Sequence, residues 1–184
     1  MEIEGIGAYA PQDARDRHAW ARLAEFVARE PAAFGRDPAT GGHVTGSAFV
    51  LSPDGRAVLL THHAKLDRWL QLGGHCDGET DVRRVALREA HEESGLARIR
   101  LLDQAVLDVD IHLIPANPRE PAHLHYDVRY LMQAEAGAIA ASAESRALEW
   151  VPLDRLERRT AEPSILRMRD RVLRYRPISA ASNG

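Results

Sequence analysis

Cysteine occurs once in this chain, at Cys76, so no disulfide can form within it. Lysine also occurs once, at Lys65, and the other cationic side chains are arginines interspersed with acids. The formal charge of −3 over 184 residues supplies no basic field for tracking a nucleic acid polymer, so such polymers are not expected as partners. No internal repeat is visible. The first twenty residues carry neither a long apolar run nor the charge pattern of a signal peptide, and a soluble, cytoplasmic protein with no membrane partner is the expectation. What is present is 45% hydrophobic residues, enough for one globular domain to bury a core without metal or disulfide staples.

The most informative stretch is GGHCDGETDVRRVALREAHEESGL, Gly73 to Leu96. A glycine turn there leads into a helix that Thr80 or Asp81 can cap and Gly95 can end in the left-handed conformation. At about 100° per residue, Val82, Val85 and Ala86 share one stripe, and Glu89, Glu92 and Glu93 continue it. Acids in the last turns of a helix oppose its macrodipole and repel one another, each at a cost of roughly 0.3–1 kcal/mol. A bound cation reverses both penalties, and hard divalent ions take oxygen ligands from a few carboxylates. The plainer alternative is a solvated acidic face paired with neighbouring arginines. The apolar stripe and the glycines before it favour the metal reading.

Around this helix the chain alternates helix and strand signals. Residues from about Asp16 to Glu30 read as an amphipathic helix stopped by Pro31. HVTGSAFVL and RAVLLTHH read as a hairpin-type pair about a turn at Pro53 to Gly55. Val106 to Ile114 alternates, with Asp108, Asp110 and His112 on one face. In HLHYDVRYLM, His123, His125, Asp127 and Arg129 alternate with apolar residues, so pairing of these two strands would make their polar faces coincide. EWVPL reads as a short strand, Ser164 to Tyr175 as a final helix, and the tail after Pro177 as disordered. The pattern predicts an α/β domain with helices packed on a mixed sheet.

The residues from Gly74 to Leu96 closely resemble the Nudix box: glycine, five residues, glutamate, seven residues, then Arg-Glu-apolar-x-Glu-Glu-x-Gly-apolar. Arg88, Glu89, Ala90, Glu92, Glu93, Gly95 and Leu96 fall on its helical positions, while Thr80 stands where the first glutamate belongs and Glu79 lies one residue early. The resemblance implies a Nudix-type α/β/α sandwich using Mg²⁺ or Mn²⁺ to hydrolyse a diphosphate linked to another group, usually a nucleoside. It implies one domain over 1–184, with a helical extension at 1–40, a core at 41–176 and a flexible tail at 177–184. The metal ligands it implies are Glu92 and Glu93, with Glu89 as ligand or general base, Arg88 orienting carboxylates, and the Gly73 carbonyl as an additional ligand. The expected partner is a small nucleotide-derived diphosphate. Homodimers are common in the family, so a homodimer stays open.

Other polar residues have two readings each. His43 and His75, with a carboxylate such as Glu79, could hold a second, softer metal or touch substrate, although hydrogen-bonding histidines are commoner. His123, His125, Asp127 and Arg129 line either a substrate pocket or a solvent face. Trp69 and Trp150 read as packing residues, and Glu144 or Glu149 as a source of one more acid or as ordinary loop glutamates. Two alternatives to hydrolysis remain at this stage. One is an isomerase of the isopentenyl-diphosphate type, against which Cys76 follows rather than precedes His75. The other is a ligand-sensing Nudix domain without catalysis, for which Thr80 is the support.

Overall fold

The computed structural model describes residues 1–37, 40–64, 66–118, 120–140 and 145–174. Glu144, Tyr175 and the tail at 177–184 lie outside them. A two-stranded antiparallel ribbon, β1 (Glu2–Ile3) and β2 (Gly7–Ala8), opens the chain. Helix α1 (Ala14–Arg29) follows; the Asp13 side chain caps its start and Glu30, before Pro31, ends it. Then come β3 (Gly42–Leu51), β4 (Ala57–His63), β5 (Arg68–Leu70), β6 (Leu72–His75) and α2 (Val82–Ser94). The second half holds β7 (Arg98–Leu101), β8 (Asp108–Ile114), β9 (His123–Ala136) and β10 (Ser145–Pro152), then a 3₁₀ turn at Leu153–Arg158 and α3 (Pro163–Arg174).

The main sheet runs β10-β4-β3-β9-β7, with β5 on β4, β6 on β3 and β8 on β9. The central pair, β3 and β9, is parallel along all ten residues of β3, whereas the other pairs are antiparallel. The expected β3–β4 hairpin exists only at its turn. Leu51 pairs with Val58, and beyond that point the strands diverge, so that β6 takes the place beside β3 and β5 pairs with β4.

Alternation along β3 and β9 divides the sheet into two faces. Val44, Ala48 and Val50 of β3, with Tyr126, Val128 and Tyr130 of β9, face α1 and α2 and join Trp20, Leu23, Val82, Val85 and Ala86 in one core. Phe49 and Leu131 face the other way and pack with Leu156, Ile165 and Met168 beneath α3. This is the three-layer α/β/α arrangement expected. Gly46 lets α2 lie directly on β3, because a Cβ there would come within 2.9 Å of the Val82 carbonyl. The initial ribbon braces this same N-terminal end of α2, where Val82 N–H donates to the Gly5 carbonyl at 3.0 Å, and the buried Tyr130 hydroxyl donates to the Ile6 carbonyl at 2.8 Å.

Candidate active site

Gly73 and Gly74 do not form a turn; they belong to β6 and pair with Ser47 and Gly46 of β3. The turn comes later, at Asp77 and Gly78, both with positive φ. Glycine is needed at both strand positions for lack of space. A Cβ on Gly73 would fall 2.2 Å from the Ser47 hydroxyl, and one on Gly74 would fall 2.5–2.9 Å from the Glu89 carboxylate. Asp81 caps α2, accepting from Arg84 N–H, and Gly95 ends it at φ 68°. The wheel position of each acid then decides its exposure. Glu93 is 8% exposed and accepts from the Gly73 N–H at 3.0 Å. Glu89, with 16% of its side chain exposed, pairs with Arg88 at 2.9 Å. Glu92, at the edge of the stripe, is exposed. Arg88 also donates to the His75 carbonyl at 2.9 Å, tying the end of β6 to the helix.

Glu89, Glu93, Arg88 and Gly73 are therefore brought together, with Glu92 at the rim. The donors are carboxylate oxygens, and the Glu89 carboxylate lies directly over Gly74 where any Cβ would displace it, so this set suits a hard divalent ion. Glu79 does not join it. Its carboxylate accepts from Asp81 N–H at 3.0 Å and lies 3.7 Å from Arg84, at the N-terminal end of α2. Thr80 is exposed there as well. Gly74→Ala is expected to lower turnover by ten- to a hundredfold while the chain stays folded, because the added methyl displaces the Glu89 carboxylate. Steady-state rates with circular dichroism on the variant check this.

The opposite sheet face grades along β9 from apolar Leu131 through charged Arg129 and Asp127 to His125 and His123. The polar faces of β8 and β9 do coincide: Asp108 stands opposite Arg129, Asp110 opposite Asp127, and His112 opposite His125. The middle of this face is neither solvent nor open pocket. Asp108 is fully buried and accepts two hydrogen bonds from Arg167, at 2.9 and 2.7 Å, with Arg129 at 3.3 Å and Arg171 at 3.2 Å. Asp110 pairs with Arg15 and Arg167 at 2.9 Å each, and Arg171 pairs with the buried Asp16. Asp127 accepts from Arg129, Ser47, Thr45 and Gln71. Burial pushes the Asp110 carboxyl up, but the His112 hydrogen bond and the Arg129 and Arg167 charges outweigh it and hold the carboxyl well below the ordinary range. This network pins α1 and α3 to the sheet. Its α1 and α3 members, Arg15, Asp16, Arg167 and Arg171, escape sequence reading because alternation and helical periodicity describe one element at a time.

His43 and His75 are neighbours, as the sequence allows, with ring centroids 4.9 Å apart, and His123 and His125 adjoin them. Trp69 stacks on His62 at 5.0 Å under the Arg159 guanidinium, and Trp150 packs against the first core, so both act in packing. Glu149 is ion-paired with Arg159. Cys76 is 2% exposed, and burial pushes its thiol up to about 12, so it is an inert packing residue with no thiolate to offer an isomerase.

Among known proteins, the family described as NUDIX domain matches residues 42–172. No curated protein matches. A Nudix-family hydrolase from Clostridium perfringens superposes with a TM-score of 0.55 at 23% identity, covering 71% of this chain and 95% of that one. An Ap4A hydrolase from C. elegans gives 0.58 at 14% identity, over 71% and 95%. The NUDIX domain of Shewanella oneidensis NrtR, complexed with ADP ribose, gives 0.53 at 20% identity, over 82% and 96%. At these identities the structures establish the shared fold. No helix among the described residues is long and apolar enough to cross a membrane. With the family matching most of the chain and the box residues gathered at one strand end, this chain belongs to the Nudix family.

Proposed function

We propose that the protein hydrolyses the diphosphate linkage of a small nucleotide-derived substrate, with Mg²⁺ or Mn²⁺ held by Glu89, Glu92 and Glu93 beside Gly73. The observation that carries this reading is the convergence of Glu89 and Glu93 on the two glycines of β6, with Arg88 bound across the gap. Such an ion screens the phosphate charge and lowers the pKa of an attacking water when bound. The chain's own contribution is positional. Glu93 is fixed by the Gly73 N–H, Glu89 is oriented by Arg88, and the exposed Glu92 gives the substrate side of the site its third carboxylate. The glycines let the Glu89 carboxylate lie directly against the strand.

The missing acid at Thr80 is compatible with this arrangement, because that position lies at the far end of α2 from Glu92 and Glu93, and Arg88 takes its contacts from Glu89 and the His75 carbonyl instead. The test is a panel of nucleoside diphosphate derivatives, dinucleoside polyphosphates and nucleotide sugars incubated with Mg²⁺. Release of phosphate or nucleoside monophosphate, abolished by chelation, is the expected result. Absence of turnover together with tight, metal-independent ligand binding would instead identify a sensing domain.

A further inference from the structure

Five of the chain's nine histidines converge on the sheet face opposite α2, at the end where β3, β6, β8 and β9 meet. The register brings them there. His43 of β3 pairs directly with His125 of β9, His112 of β8 pairs with the same His125, and His75 sits on β6 opposite Thr45, two residues along from His43. The His43 ring lies 4.9 Å from that of His75, 4.9 Å from His123 and 4.6 Å from His125. One ring nitrogen from each of His43, His123 and His125 lies within 4.8 Å of the other two. His43 is 6% exposed, and its Nε2 is buried with no hydrogen-bond partner among the described residues. A buried nitrogen with no partner marks a missing one.

We infer that His43, His123 and His125, with His75 closing the set, bind one borderline transition-metal ion of the zinc class at a site separate from the glutamates. Imidazole nitrogens suit Zn²⁺, whereas the carboxylate oxygens across the strand suit Mg²⁺. Strand alternation separates the two sites, since the Cβ direction of Gly74 faces Glu89 while His75 faces the histidines. The outer contacts are those that orient metal-binding imidazoles. His123 Nδ1 donates to the Pro121 carbonyl at 2.9 Å, which leaves Nε2 with its lone pair, and the neighbouring His112 is held by the Asp110 carboxylate at 3.2 Å. Zn–N bonds of about 2.0–2.1 Å require the three nitrogens to close in by roughly an ångström, a movement within side-chain rotation.

The test uses the full chain, stripped with chelator and then given one equivalent of Zn²⁺ in excess Mg²⁺, which fills the carboxylates. X-ray absorption at the zinc edge is expected to show a first shell near 2.0 Å with outer scattering from three or four imidazoles. His43→Gln and His125→Gln are each expected to weaken zinc binding by at least about a hundredfold, measured by competition with a chromophoric chelator, while Glu93→Gln leaves it unchanged. A zinc spectrum lacking imidazole scattering overturns the inference, as does zinc binding abolished by Glu93→Gln and indifferent to the histidine variants. Should a histidine variant fail to fold, the spectrum of the unmodified protein decides alone.

Discussion

Glu93→Gln lowers kcat/KM by about a thousandfold or more and leaves the protein folded. Glutamine has the shape of glutamate, and its carbonyl oxygen still accepts from the Gly73 N–H, so the contact that seats residue 93 against β6 survives. What disappears is a negative charge on a side chain only 8% exposed, where a divalent ion would meet little competing water. Three orders of magnitude correspond to about 4 kcal/mol of transition-state stabilisation, a reasonable share for one principal ligand of a metal that stabilises developing phosphate charge. Steady-state kinetics in Mg²⁺ beside a thermal melt make the measurement, and an unchanged rate would remove Glu93 from the site. The exposed Glu92 should show the same loss when changed to Gln, with a smaller effect on the melting temperature, because exposure leaves its carboxylate less to brace among the described residues.

The second large effect is on stability. Asp108→Ala is expected to cost about 3–5 kcal/mol in urea unfolding, a large part of the roughly 5–15 kcal/mol typical of a folded domain. Asp108 is fully buried and stands opposite Arg129, Arg167 and Arg171, and its loss leaves guanidinium groups in the interior short of a counter-charge. Most of the cost is that uncompensated charge rather than the value of any one ion pair, so replacing Asp108 together with Arg129 and Arg167 by apolar residues of similar volume should cost much less than the single change. A loss under about 1 kcal/mol for Asp108→Ala would show that the network contributes only surface electrostatics.

The elements that carry strong periodicity were legible from the sequence. The acids on α2 could be placed because helical geometry fixes their wheel positions, and the shared polar face of β8 and β9 followed from strict alternation in both. Position relative to other elements was not legible. Gly73 and Gly74 look like a turn when read alone, and only the pairing of β6 with β3 makes them strand residues whose side chains would have collided with Ser47 and Glu89. In the same way Asp127 and Arg129 look solvent-facing until α1 and α3 arrive with Arg15, Arg167 and Arg171. The sequence offers His43 and His75 as a pair, but the parallel register that adds His125 lies in no local pattern. Glu79 is engaged at the start of α2 instead, where its carboxylate accepts from the Asp81 N–H, a contact that no spacing in the sequence announces.

The parallel pairing of β3 and β9 also constrains the order of events during folding. Thr45 and Asp127, hydrogen-bonded across that pair, are 82 positions apart in the chain. Closing so long a loop spends chain entropy before any of the contacts that offset it exist, which places the protein among slower-folding topologies. Local structure such as α2, with its glutamates already in a row, can form early, but β6 has no partner until β3 is in place and the histidines have no common face until β9 joins. A nascent chain therefore carries an acidic helix well before it carries the histidine cluster, and metal binding by that cluster is expected to report that the β3–β9 pairing is complete.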